Sequence, residues 1–127
     1  MSVIGIGVDI VSIDRLRSMH RRYGDRLSGR ILGPSERTEL ADRRGDVGPF
    51  LAKRFAAKEA LSKAFGTGIQ RGIRMVDIEV VHGELGRPGI QLSAGSLDVA
   101  HALGVRDIHL SLADERDYAI AQVVLVG

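Results

Sequence analysis

FLAKRFAAKEALSKAF, residues 50–65, is rich in alanine, leucine and lysine and is followed at once by Gly66. Such residues enter a helix cheaply and glycine is a favoured left-handed stop, so the spacing predicts a helix over 50–65. At about 100° per residue, Ala52, Ala56, Glu59 and Lys63 fall on one side, with Glu59 and Lys63 four apart. Small alanines around a charged pair allow a strand or a ligand to pack close to it. The same two residues also read as a solvent-facing couple worth about 0.2–0.5 kcal/mol to the helix. Gly66-Thr67-Gly68 then forms an amide-rich turn able to meet a phosphate. A helix C-terminus carries the wrong dipole for an anion, so Lys63 and Arg54 must supply the positive charge.

Outward toward the N-terminus, Val3 to Val11 alternates. Ile4, Ile6, Val8 and Ile10 lie on one side and Gly5, Gly7 and Asp9 on the other, the pattern of a strand with one apolar and one bare face. Something can approach the bare face closely. Asp9 reads either as a ligand for a hard cation or as a cap for the next helix. Ser12 caps a helix expected over 13–23, whose apolar positions Ile13, Leu16, Met19, His20, Tyr23 and Leu27 recur at helical spacing. A short helix is expected over 36–42 and a charged loop over 43–49. On the helical wheel Arg15, Arg22 and Arg26 cluster within about 40°, with Met19 bordering them. This is a solvated face or, given the methionine, a docking surface.

Toward the C-terminus, strands are expected at 77–82, 90–93, 107–112 and 118–126, with a turn at Gly86-Arg87-Pro88-Gly89 and a short helix over 97–103. His109 and Ser111 share one face of a strand opposite Ile108, Leu110 and Leu112, lining a pocket or facing solvent. His20 reads as a core or boundary residue, and His82 and His101 have no assigned role. No repeat or low-complexity tract interrupts the chain. The fold class is α+β, a mostly antiparallel sheet packed against a long central helix.

The 127 residues, 44% hydrophobic and 27% charged, suit one domain over 1–127. Cysteine is absent, which excludes disulfides and thiolate metal sites and fits a cytoplasmic setting. The apolar start is too short to span a bilayer and contains Asp9. Net charge is +2, yet seven arginines between Ser12 and Arg37 face only Asp14, Asp25 and Glu36, a local excess of four. Such a patch points to an acidic partner. With 4% aromatics and no tryptophan, stacking platforms for single-stranded nucleic acid are scarce.

Taken together, Gly5-Ile6-Gly7-Val8-Asp9-Ile10-Val11, FAAKEALSKAFGTG at 55–68, Asp77-Ile78-Glu79-Val80, Gly86-Arg87-Pro88 and His109-Leu110-Ser111-Leu112 resemble the holo-[acyl-carrier-protein] synthases of the 4′-phosphopantetheinyl transferase family. The match covers nearly the whole chain. Its most specific part is GVDI paired with FAAKEA and KAFGTG about fifty residues on.

The resemblance implies the 4′-phosphopantetheinyl transferase fold and a magnesium-dependent transfer of phosphopantetheine from coenzyme A to a serine of apo acyl carrier protein, in support of fatty acid biosynthesis. Asp9 and Glu59 would be the Mg2+ ligands, a set that magnesium's preference for carboxylate and phosphate oxygens suits. Lys63 would complete the catalytic group and contact phosphate. Arg54, Gly66, Thr67, His109 and Ser111 would contribute to the coenzyme A cleft, and Arg15, Met19, Arg22 and Arg26 to the carrier dock. The base for the serine proton is Glu59, a metal-bound water or a residue on the carrier's side. A homotrimer with active sites between subunits is implied, with neither nucleic acid nor membrane as partner. The chain departs from the common pattern at Ala113-Asp114, where many relatives have a small hydroxyl residue followed by histidine. The competing readings are a non-catalytic basic module binding nucleic acid or an acidic protein, and a transferase serving polyketide or peptide synthase carriers.

Overall fold

The structure, a computed structural model, describes residues 1–70 and 72–127. Its elements run β1 (Val3–Ser12), α1 (Ile13–Tyr23), α2 (Asp25–Ile31), α3 (Pro34–Asp42), α4 (Gly48–Phe65), β2 (Ile78–His82), β3 (Pro88–Leu92), α5 (Ala94–Leu103), β4 (Asp107–Asp114) and β5 (Tyr118–Val126). The α+β expectation holds, and every strand pairing among the described residues is antiparallel. The strands divide into a three-stranded sheet, β1-β5-β4, and a separate β2-β3 hairpin.

The long helix lies across the three-stranded sheet, and glycine makes the approach possible. A Cβ built on Gly7 would stand 1.9 Å from the Ala60 carbonyl oxygen, and one on Gly5 2.2 Å from that of Ala64. The bare face of β1 is therefore the inner one. Alanines 52, 56, 57 and 60 of α4 are fully buried against it and against Ala119, Ala121, Val123 and Leu125 of β5. Burial at roughly 25 cal/mol per Å2 is what holds this layer together.

The apolar face of β1 points the other way. Ile6, Val8 and Ile10 are 66%, 53% and 62% exposed, and Tyr118 and Ile120 of β5 join them. Register confirms a continuous outer face, since Ile6 opposes Val124, Ile10 opposes Ile120 and Ser12 opposes Tyr118.

Helix boundaries depart from expectation in instructive ways. Ser12 caps α1 as expected, accepting from the Arg15 amide at 3.3 Å. Gly24, at φ 52°, then breaks the helix, so Arg26 belongs to α2, an element the spacing did not predict. Helix α3 starts at Pro34 rather than 36 because Glu79 of β2 caps it. Its carboxylate accepts from the Ser35 amide at 2.9 Å, the Glu36 amide at 3.3 Å and the Ser35 hydroxyl. Helix α4 starts at Gly48, whose amide donates to Asp46 at 2.9 Å.

Between α2, α3, α4 and the hairpin lies a buried ionic hub. Lys58 and Glu36 are fully buried and Arg54 nearly so. Lys58 Nζ donates to Glu36 at 2.5 Å, to the Met75 carbonyl at 3.0 Å and to the Ile31 carbonyl. Glu36 also accepts from the amides of Gly33 at 2.9 Å and Val80 at 3.1 Å. Lost solvation makes such a charge costly unless every donor is satisfied, as it is here.

Candidate active site

The close packing of β1 on α4 brings three predicted residues together. Asp9 follows Gly5 and Gly7 on the inner face of β1, and Lys63 crosses from α4 to meet it. The ammonium donates to Asp9 Oδ1 at 2.8 Å and to the Val8 carbonyl at 3.1 Å. Glu59, one turn before Lys63, is half-buried beside them. Its carboxyl is pushed above the usual range by burial first and by the Asp9 charge second, against the pull of Lys63 and Arg15. Two carboxylates held near one another in a partly desolvated place are the donor type that a hard cation prefers. Among the described residues no group of three or more His, Cys, Asp or Glu side chains is placed to hold a metal ion.

Arg15 links this cluster to the basic stripe. It is exposed on α1, its guanidinium carbon 5.6 Å from the centre of the Phe55 ring, and its charge reaches Glu59. Met19 is half-buried at the rim and Arg22 is exposed beside Tyr23. Arg26 helps line a hollow of about 780 Å3 with Met19, Tyr23, Leu27 and Arg30. Arg17 is not part of this free charge, being held by Asp14 and Asp46 at 2.6 Å each.

The turn after α4 differs from expectation. Gly66 is the left-handed cap at φ 82°, but the amides of Gly66, Thr67 and Gly68 donate to the carbonyls of Lys63 and Ser62 at 3.0, 3.3 and 3.1 Å. Those amides close the helix and are not free for a phosphate, and the Thr67 hydroxyl donates to Gly68 at 2.8 Å.

Arg54, His109 and Ser111 lie away from the cluster. Arg54 and Lys63, nine residues apart, sit about 180° from one another around α4. Arg54 donates to the Val80 carbonyl at 2.6 Å, to Glu39 at 2.9 Å and to Glu36 at 3.4 Å. His109 and Ser111 are exposed on the outer sheet face, where their partners are Val124 and Gln122. The sheet itself stands between them and Asp9. Arg54 borders a second cavity, about 290 Å3, with Arg43, Lys53, His82, Gly86 and Asp114. Sequence spacing gave no signal for this grouping, which draws on α4, the hairpin and β4.

Comparison with known proteins supplies relatives. Residues 5–123 match the family model of the 4′-phosphopantetheinyl transferase superfamily. The chain is 47% identical over 127 residues to a holo-[acyl-carrier-protein] synthase of Serratia proteamaculans, covering all of both chains. Among solved structures it is similar to the holo-[acyl-carrier-protein] synthase of Neisseria meningitidis, with a TM-score of 0.90, 38% identity and coverage of 99% of this chain and 100% of that one. It is also similar to the Bacillus anthracis synthase described in complex with CoA (3′,5′-ADP), at a TM-score of 0.81, 37% identity and 97% and 96% coverage.

Proposed function

The chain belongs to the 4′-phosphopantetheinyl transferase superfamily, and from that premise we propose that it is a holo-[acyl-carrier-protein] synthase acting in the cytoplasm in fatty acid biosynthesis. It transfers 4′-phosphopantetheine from coenzyme A to a serine of apo acyl carrier protein and releases adenosine 3′,5′-bisphosphate. The observation that carries this reading is the convergence of Asp9, Glu59 and Lys63 on one flank of α4.

Asp9 and Glu59 would hold Mg2+, which when bound supplies a Lewis acid that offsets charge on the phosphoryl oxygens. Lys63, fixed by Asp9 and the Val8 carbonyl, presents its ammonium to the pyrophosphate and stabilises the leaving bisphosphate. The serine oxygen attacks the β-phosphorus, the bond from that phosphorus to the bisphosphate oxygen breaks, and the hydroxyl proton passes to a base. That base is Glu59, a metal-bound water or a residue on the carrier's side of the interface. Arg15, with Met19, Arg22 and Arg26, docks an acidic carrier beside the reacting centre. Arg15 is the member of that stripe whose charge reaches Glu59.

The working form is a homotrimer, as the family resemblance implies. Two features support it. The exposed face of Ile6, Val8, Ile10, Tyr118 and Ile120 is a contiguous apolar sheet surface of the kind that another chain covers. Arg54, His109 and Ser111 are separated from Asp9 by the sheet or by α4, so they join a coenzyme A cleft with Lys63, Gly66 and Thr67 only when a neighbouring subunit supplies them.

Intact mass spectrometry of apo acyl carrier protein incubated with the protein, coenzyme A and magnesium tests the activity. The expected result is a gain of one phosphopantetheine that EDTA abolishes. No gain with several carriers, combined with salt-sensitive binding to DNA, would favour the non-catalytic basic module instead.

A further inference from the structure

Asp114 closes β4, at the place where this chain departs from the pattern of many relatives, and Lys53 of α4 reaches it. Lys53 Nζ lies 3.3 Å from Asp114 Oδ1, and the two side chains are 34% and 35% exposed. Both line the cavity of about 290 Å3 between the first turns of α4, the β2-β3 hairpin and the end of β4.

The charges around that cavity are unevenly committed. Arg54 spends its donors on Val80, Glu39 and Glu36. Asp46 is held by Arg17 and by the Gly48 amide. Arg43 lies over the Phe50 ring, 4.3 Å from its centre, and among the described residues pairs with no carboxylate. Asp114 is thus the one lining carboxylate whose partner is a cation of the cavity itself. The imidazole of His82 senses the excess, held below its usual range by burial and then by Arg54, Lys53 and Arg43 against Glu39.

We propose that Asp114 is a resident counter-ion that competes with a phosphate group of the donor for Lys53, and that it thereby sets the affinity of this cavity for its ligand. A lining of Arg43, Lys53, the Arg54 edge and an imidazole suits a phosphate-class anion. While Lys53 is paired with Asp114, an incoming anion must displace a carboxylate before it gains an ammonium. Asp114 acts through Lys53 and is a specificity-determining residue rather than a catalytic one. The inference rests on the transferase reading, because coenzyme A brings phosphates beyond the one at which transfer occurs.

Isothermal titration of the full-length protein with adenosine 3′,5′-bisphosphate tests it, in wild type, Asp114→Asn, Lys53→Gln and the double variant. The Asp114→Asn protein is expected to bind about fivefold more tightly, the scale of one exposed ion pair. Lys53→Gln is expected to bind more weakly, and Asp114→Asn to have no effect in the Lys53→Gln background. An unchanged or weaker Kd in Asp114→Asn overturns the inference, as does an equal gain with and without Lys53, which would reveal only a change in net charge. Wild-type transfer activity, measured in parallel by intact mass, separates the two levels. If it is absent the transferase reading fails, whereas transfer together with a flat mutant cycle defeats the counter-ion alone.

Discussion

Lys63 and Asp9 meet at 2.8 Å across the gap between α4 and β1, and Glu59 lies alongside with no hydrogen-bond partner for its carboxylate among the described residues. The cluster therefore holds a salt bridge and a spare, half-buried carboxylate within reach of the charge of Arg15 on α1.

Asp9→Asn and Glu59→Gln should each lower magnesium-dependent turnover by at least about a hundredfold, or near 3 kcal/mol of transition-state stabilisation. Circular dichroism should be unchanged, because neither side chain is part of the core. Near-normal rates in either variant would remove that residue from the metal site.

Reversing Arg15 and Arg22 to glutamate should raise the KM for the carrier by about tenfold or more and that for coenzyme A much less. The wild-type carrier KM should also climb with salt, and the variant's should not. Equal effects on both substrates would count against a dock.

A lysine at Ile6 or Ile10 should leave a folded protein of single-chain mass in multi-angle light scattering. On the proposed trimeric reading, activity should fall with the loss of association, since Arg54 and His109 then have no neighbouring Asp9 to serve. A trimer that survives both substitutions would show that the outer face of β1 is not the interface.

Glu79 sets an acid limit on stability. Burial alone would raise its carboxyl, but hydrogen bonds from the Ser35 hydroxyl and the amides of Glu36 and Ser35, together with Lys58, bring it below the usual range. A lowered folded value means that the stabilisation is present above the unfolded value near 4.5 and disappears as pH falls through the folded one. Between pH 7 and 3 the wild type should lose roughly 0.5–1 kcal/mol that Glu79→Gln never has, the scale of one helix cap. Parallel urea-midpoint curves for the two proteins over that range would refute the cap.

Lys58→Met should cost about 3–5 kcal/mol in urea denaturation, because it strands the buried Glu36 carboxylate and the carbonyls of Ile31 and Met75. A shift below about 1 kcal/mol would mean that water reaches the hub.

The residues alone left Asp9, Glu59 and Lys63 each open and the family resemblance grouped them, but the small residues beside them did mark a place of close approach, where Gly5 meets Ala64 and Gly7 meets Ala60. Alternation in β1 revealed two faces without revealing which was covered. The apolar one lies outward, since a single sheet layer has one helix to pack on and the glycines claim it. Helix α2 escaped notice because seven residues that include Ser28 and Gly29 have little intrinsic helicity, and burial of Leu27 and Ile31 holds them. The ionic hub was invisible for a different reason. Lysine and glutamate are rarely enclosed, and nothing in separations of 18 and 22 residues marks Arg54, Lys58 and Glu36 as neighbours.

The glycines of β1 also limit how this protein can be stabilised. Replacing glycine with alanine ordinarily helps by narrowing the unfolded ensemble. At Gly7 the added methyl group would press on the Ala60 carbonyl from 1.9 Å and force the strand and helix apart. Since Asp9 rides on that strand and Glu59 and Lys63 on that helix, the spacing between two backbones sets how these three side chains meet. Widening it would part the proposed catalytic cluster, so gains in robustness have to come from the far side of the molecule.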